Sequence, residues 1–252
     1  VGDFLERQCI VRPSDLPYKT QLVPLAAVRA ILDTAMDGLG AEEKVEQWFW
    51  CGVLGEMYGG STETRFTRDV EQLVPWIAQG DRAPDTVTDA FFFADRLDSL
   101  TTRNSAAYKG IYALLVKQGR WTGTTRTLRS ARAGSTSTAS TSGRSSQVLV
   151  PAGQQPGASH ELDREQDALV LPGRDGHDGA PASYVSTMVA ASDMRPEWFD
   201  DVVATHLIDP EALRDNDYER FYRDRSRQLQ DLVHAAMGKR TMLRDLAEGD
   251  AR

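Results

Sequence analysis

Cysteine and histidine are scarce in this chain. Its 252 residues carry two cysteines, Cys9 and Cys51, and four histidines, His160, His177, His206 and His234. A structural zinc site needs ligands in close-spaced pairs, and no such pairs occur here. Two distant cysteines also fit a reducing cytoplasm better than a disulfide scaffold. No apolar run reaches membrane-spanning length and no signal peptide is present, so a cytoplasmic protein without a membrane partner is expected. Basic charge is in deficit: 29 Lys and Arg stand against 37 Asp and Glu, a net charge of -8. Phosphate contacts need clustered cations, which argues against a free-standing nucleic-acid binder. No serine sits in a nucleophile elbow, and no glycine-rich phosphate loop follows a strand. The first residue is Val1 rather than Met, and the reading frame is expected to open further upstream.

What is present is helical periodicity. "LVPLAAVRAILDT", residues 22–34, spaces apolar residues as a helix does, with Pro24 in the first turn and Gly38 and Gly40 closing it. "AEEKVEQWFWCGVLGEMYGG" opens acidic and is apolar on nearly every side from Trp48 to Leu54, as a central helix would be. Gly59 and Gly60 are expected to end it. The next helix takes Ser61 as N-cap and places Phe66, Val70, Leu73, Val74 and Ile77 on one face. Past a loop at Pro84, "VTDAFFFADRLDSL" reads as a helix or turn-helix capped by Thr88 or Asp89. "TRNSAAYKGIYALLVKQG" gives a face of Ala106, Ala107, Ile111, Leu114 and Leu115, with Gly119 after a basic last turn. Three more helices are expected at Tyr184 to Ala191, Pro196 to His206, and Asp217 to Met237. The last carries Phe221, Arg225, Leu229, Leu232 and Val233 on one face, and Gly238 caps it.

Between these parts, residues 120–179 follow no period. Ser, Thr, Gly, Arg, Pro and Gln dominate, as in "GSTSTASTSGRSSQ" from Gly134 to Gln147. Such a composition cannot bury enough apolar surface to offset the entropy of ordering it, and predicts disorder. The fold class is therefore mainly α: a helical bundle interrupted by a long disordered segment. The parts are 1–119 helical, 120–179 disordered and 180–252 helical.

Candidate chemistry is sparse. Glu56, Glu63, Arg65 and Arg68 follow the central helix and could form a site; surface ion pairs at a helix junction, which are common, are the preferred explanation. Arg103, Asn104, Tyr108 and Lys109 form a phosphate-compatible set at a helix start, set against capping by Asn104 or Ser105 and a solvated Lys. The polar-site candidates are thus Glu63, Arg65, Arg103, Asn104 and Lys109. His206 could act as a base, against a packing role at a helix end. "GRDGHDG" lacks the spacing and the bidentate Glu of a calcium loop. The arginines of 120–147 could make a nucleic-acid-binding arm, or simply reflect composition.

Three stretches carry a resemblance: "YKTQLVPLAAV", "WFWCGVLGEMYGGSTETRFTRDV" and "TRNSAAYKGIYALL", joined near the end by "DYERFYRDRSRQL". Over residues 1–119 and 180–240 the chain resembles the GmrSD-type family of modification-dependent DNA restriction endonucleases. The resemblance implies a ParB/sulfiredoxin-like nucleotide-dependent domain, a helical middle and a C-terminal HNH nuclease. It implies DNA as partner and a divalent metal as cofactor, with a histidine as general base. The family's histidine-rich motif belongs between residues 120 and 180, where no matching His pair stands. Back-translated and read one base earlier, "GSTSTASTSG" yields a sequence close to that motif. "LDREQDALVL", read one base later, permits the family's Asn-containing segment. The expectation is a frame slip beginning near Gly119, with the original frame resuming near Ala180. No catalytic residue carries over, no cofactor is expected for the chain as it stands, and the oligomeric state is open. The expected function is that of an inactive remnant of a DNA endonuclease; the alternative is a non-enzymatic helical interaction module.

Overall fold

A computed structural model of the chain describes residues 1–33, 39–60, 63–100, 102, 104–121, 182, 186 and 196–239. The elements among them are helical: α1 Gly2–Arg7, α2 Leu22–Leu32, α3 Leu39–Leu54, α4 Glu63–Gln79, α5 Asp85–Thr88, α6 Ala106–Trp121, α7 Pro196–Thr205, α8 Pro210–Asp215 and α9 Tyr218–Met237. Two 3-10 helices, Lys19–Gln21 and Ala94–Ser99, join them. The fold is mainly α. Of the segment read as disordered from residue 120, Arg120 and Trp121 instead close α6; the rest of it, "GRDGHDG" and nearly all of the helix expected at 184–191 lie outside the described residues.

The chain divides into two units, Val1–Ile111 with Gln230–Arg252, and Tyr112–Leu229. In the first, α3 is the axis. Trp48, Phe49, Trp50, Cys51, Val53 and Leu54 are all buried, so the helix that is apolar all round is indeed central. α4 and α5 pack on α3, and α2 packs on α4. Phe4 of α1 meets the Phe49 ring edge-on at 5.5 Å. Glycine permits the closest approaches. A Cβ on Gly110 of α6 would lie 2.7 Å from Val53 Cγ1, and one on Gly52 would lie 2.3 Å from Gln21 Nε2.

Several polar groups entering this core are paired, although Gln21 Oε1 and Trp48 Nε1 have no hydrogen-bond partner among the described residues. Gln21 donates to the Phe49 carbonyl at 3.0 Å, and Trp50 Nε1 donates to Gln8 Oε1 at 3.1 Å. At the far end of α4 the Lys44 ammonium donates to the Trp76 carbonyl at 2.6 Å, one of the oxygens a helix end leaves without an intrahelical partner.

Several expected boundaries move. α2 stops at Leu32, and Gly40 lies inside the first turn of α3 rather than closing α2. α3 ends at Leu54, and the left-handed residue after it is Glu56 (φ 52°), not Gly59 or Gly60. Arg96 grips that Glu56 carboxylate with two hydrogen bonds, 3.2 and 2.9 Å, which holds a conformation that costs a non-glycine residue about 1–2 kcal/mol. No helix crosses Phe91–Phe93: α5 ends at Thr88, and the chain runs extended into the Ala94–Ser99 turn. α6 continues through Gly119 to Trp121. α1 and α8 have no counterpart in the apolar pattern.

In the second unit α7 packs on α8. Asp209 caps α8 by accepting from the Glu211 N–H at 2.9 Å, with Pro210 in the first turn and Asn216 left-handed (φ 54°) at the end. Phe221, Arg225 and Leu229 of α9 are buried on the face read from the sequence.

Candidate functional site

Asp69 is the one carboxylate among the described residues to be buried (1% exposed), on the inner face of α4 between Phe66 and Leu73. An isolated buried carboxylate is costly, so its partners decide what it does. The Tyr58 hydroxyl donates to Oδ2, and the Thr86 hydroxyl donates to Oδ1 at 2.7 Å. Tyr58 comes from the turn after α3 and Thr86 from α5, so the carboxylate ties three elements together. The Trp48 indole Nε1 makes no hydrogen bond, yet it lies close enough to favour the charged carboxylate. Arg65, one turn before Asp69, reaches Thr86 Oγ1 at 3.3 Å.

Burial is the largest influence on both titrating groups. It raises Asp69 above the usual aspartate range, against the opposing pull of the Tyr58, Thr86 and Trp48 donors and of the Arg65 charge. It raises Tyr58 further, helped by the Asp69 charge. Tyr58 therefore stays protonated and donating. On the solvent side lies a cleft of about 130 Å³, lined by Thr64, Arg65, Arg68, Asp69, Asp85 and Asp89. Its charges oppose one another, and Asp85 faces Arg82 at 4.0 Å.

The sequence candidates distribute unevenly around this cluster. Arg65 belongs to it and Arg68 lines the cleft. Glu63 is exposed at the start of α4, its backbone oxygen accepting from the Thr67 hydroxyl at 3.4 Å. Arg103 lies outside the described residues. Asn104 is exposed; Ser105 is the cap of α6, accepting from the Tyr108 N–H at 3.2 Å. Lys109 is half-exposed on α6, and no hydrogen bond or ion pair among the described residues joins it or Asn104 to the Asp69 cluster. Sequence reasoning passed over Asp69, Tyr58 and Thr86. The available signal was a carboxylate at a core position of an amphipathic helix.

Two further reactive groups are held neutral. Burial pushes the Cys51 thiol up to about 11, and Cys9 and Cys51 are both free. Burial, then the Arg225 charge, lowers His206 to about 4. Arg225 itself donates to the His206 backbone carbonyl. Among the described residues no three His, Cys, Asp or Glu side chains converge as a metal site, and no helix is long and apolar enough to cross a membrane.

No family model matches the chain, and no solved structure matches it. Over 79 residues it is 30% identical to the uncharacterized protein MJ0686 of Methanocaldococcus jannaschii. That match takes in 30% of this chain and 14% of the relative, so the chain spans a small part of the relative's length.

Proposed function

We propose that the described helices are the scaffold of a GmrSD-type, modification-dependent DNA endonuclease, and that this chain does not itself cleave DNA. In the parent activity an HNH centre hydrolyses a phosphodiester with a divalent metal, and its histidine would belong to the 120–179 region. The observation that supports the reading is the meeting of two distant stretches that each resemble the family. Gln47 and Cys51 of α3 both donate to the carbonyl of Met237, 190 and 186 residues away. Parts this far apart pack as one domain packs, on either side of the region where the nuclease motif belongs. The nucleophile and base candidates that are described, Tyr58, Asp69, Cys51 and His206, are hydrogen-bonded inward or held neutral, which suits a scaffold.

The test pairs two proteins on plasmid DNA with and without modified bases, in magnesium or manganese. The chain as it stands leaves all substrates intact. A version with the frame restored between residues 119 and 180 cuts modified DNA. Cleavage by the present chain, or inertness of a folded restored version, overturns the proposal. A second reading, a helical interaction module without catalysis, is favoured by the outer face of α2, where Val23 and Ile31 are 55% and 58% exposed. Under that reading the restored version stays inert.

A further inference from the structure

The end of α9 is held by a set of side chains that recognise a helix terminus. The last carbonyls of a helix lack intrahelical partners. Here His234 O accepts from the Lys239 N–H at 3.3 Å as Gly238 turns left-handed (φ 63°). Met237 O accepts from both Gln47 Nε2 (3.0 Å) and Cys51 Sγ (3.5 Å). The Lys239 ammonium reverses the polarity. It donates to the carbonyls of Thr88 (2.7 Å) and Ala90 (3.2 Å) and sits 5.5 Å from the Phe91 ring centre. Val233 and Met237 are buried alongside. Gly238 fits because a Cβ there would come within 2.6 Å of Gln47 Nε2.

We propose that residues 230–239 form a clasp that seats on its receptor in α3 and the backbone of residues 88–91 by these contacts, so that covalent continuity through residues 122–181 is not needed to keep it closed. The receptor has three parts: paired donors for a helix-terminal carbonyl, paired carbonyls with an aromatic ring for an ammonium, and a gap that only glycine fills. Its occupant is this chain's own Met237-Gly238-Lys239. The clasp is independent of what the intervening region encodes and of any nuclease activity.

Cys51 reports on the clasp, because its thiol lies under Met237. The full chain carries Cys9→Ser, so that one thiol remains, and a specific protease site after Gln147. Its reaction with an aromatic disulfide reagent is followed before and after cutting. Cutting leaves the rate unchanged, and the two pieces co-elute in gel filtration. Gln47→Ala with Lys239→Met raises the rate in the cut protein at least about tenfold, the signature of local opening. Gly238→Val, which forces a branched side chain against Gln47, gives the same rise should the double variant fail to fold. A cut protein whose Cys51 reacts as fast as in denaturant overturns the proposal, as does a folded variant of either kind whose rate does not change.

Discussion

At the scale of single residues, Asp69 organises the junction of three elements. Replacing it with Ala leaves the Tyr58 and Thr86 hydroxyls buried without an acceptor, and each orphaned group costs about 1–3 kcal/mol. Asp69→Ala is therefore expected to lower unfolding stability by about 2–4 kcal/mol, measured by urea titration at neutral pH. The pH dependence has a definite sign. Burial raises the Asp69 carboxyl in the folded state, so the native protein binds its proton more readily than the unfolded chain does. Its contribution is fully present below the ordinary aspartate value and is lost as pH rises through the raised one. His206 slopes the other way. Its value falls from 6.5 to about 4, so the unfolded chain binds more protons in between. Stability from this residue is complete above 6.5 and is lost as pH falls towards 4, by at most about 3 kcal/mol. Urea titrations of wild type and His206→Asn at pH 7.5 and 4.5 measure it; the wild type should lose more than the variant on acidification. An equal loss in both removes His206 from the account.

At the scale of elements, two glycines of the first unit should respond oppositely to the same change. Gly110 presses on Val53, so Gly110→Ala is expected to cost about 1–3 kcal/mol through overpacking. Gly40, in the first turn of α3, has nothing within 4 Å of a would-be Cβ, so Gly40→Ala gains up to about 1 kcal/mol of helix propensity. Paired thermal melts of the two variants decide it. α3, α6 and α9 were legible in the sequence because their apolar residues recur at helical spacing over several turns. The face of α6 from Ala106 to Leu115 and the burial of Arg225 among the apolar residues of α9 follow from that spacing. The stretch from Val87 to Ser99 was not legible. Its three consecutive phenylalanines suit an extended segment covering a core as well as they suit a helix, and the outcome depends on Gly55 admitting Ala90 at close range. Asp69 was hidden for a similar reason. Its acceptors' donors lie 11 and 17 residues away, and no local pattern connects them.

At the scale of the whole molecule, the first unit is discontinuous in sequence: its last contribution begins at Gln230. A chain ending at Leu229 is expected to lose the cooperative melt of that unit, with red-shifted tryptophan emission as Trp48 and Trp50 meet water. A truncated chain with an unchanged melt would show that the unit is complete without the final helix turns. The sequence indicated that the two helical parts could pack across the intervening region, since loop closure entropy grows slowly with length. It did not indicate where they meet. That depends on the pairing of Gln47, Cys51 and Lys239 with backbone carbonyls, which leaves no trace in side-chain pattern.

The distance from Gln47 to Met237 has a consequence for biosynthesis. At about 5–20 residues per second, the ribosome needs about 10–40 s to reach Met237 after it has made Gln47. From the moment Phe91 has followed it out, α3 waits with its thiol uncovered, beside the Phe91 ring and the paired carbonyls, until Met237 arrives. The nascent chain therefore exposes an apolar, helix-accepting groove for many times longer than a helix takes to form, and it is during translation that this protein has most need of a chaperone.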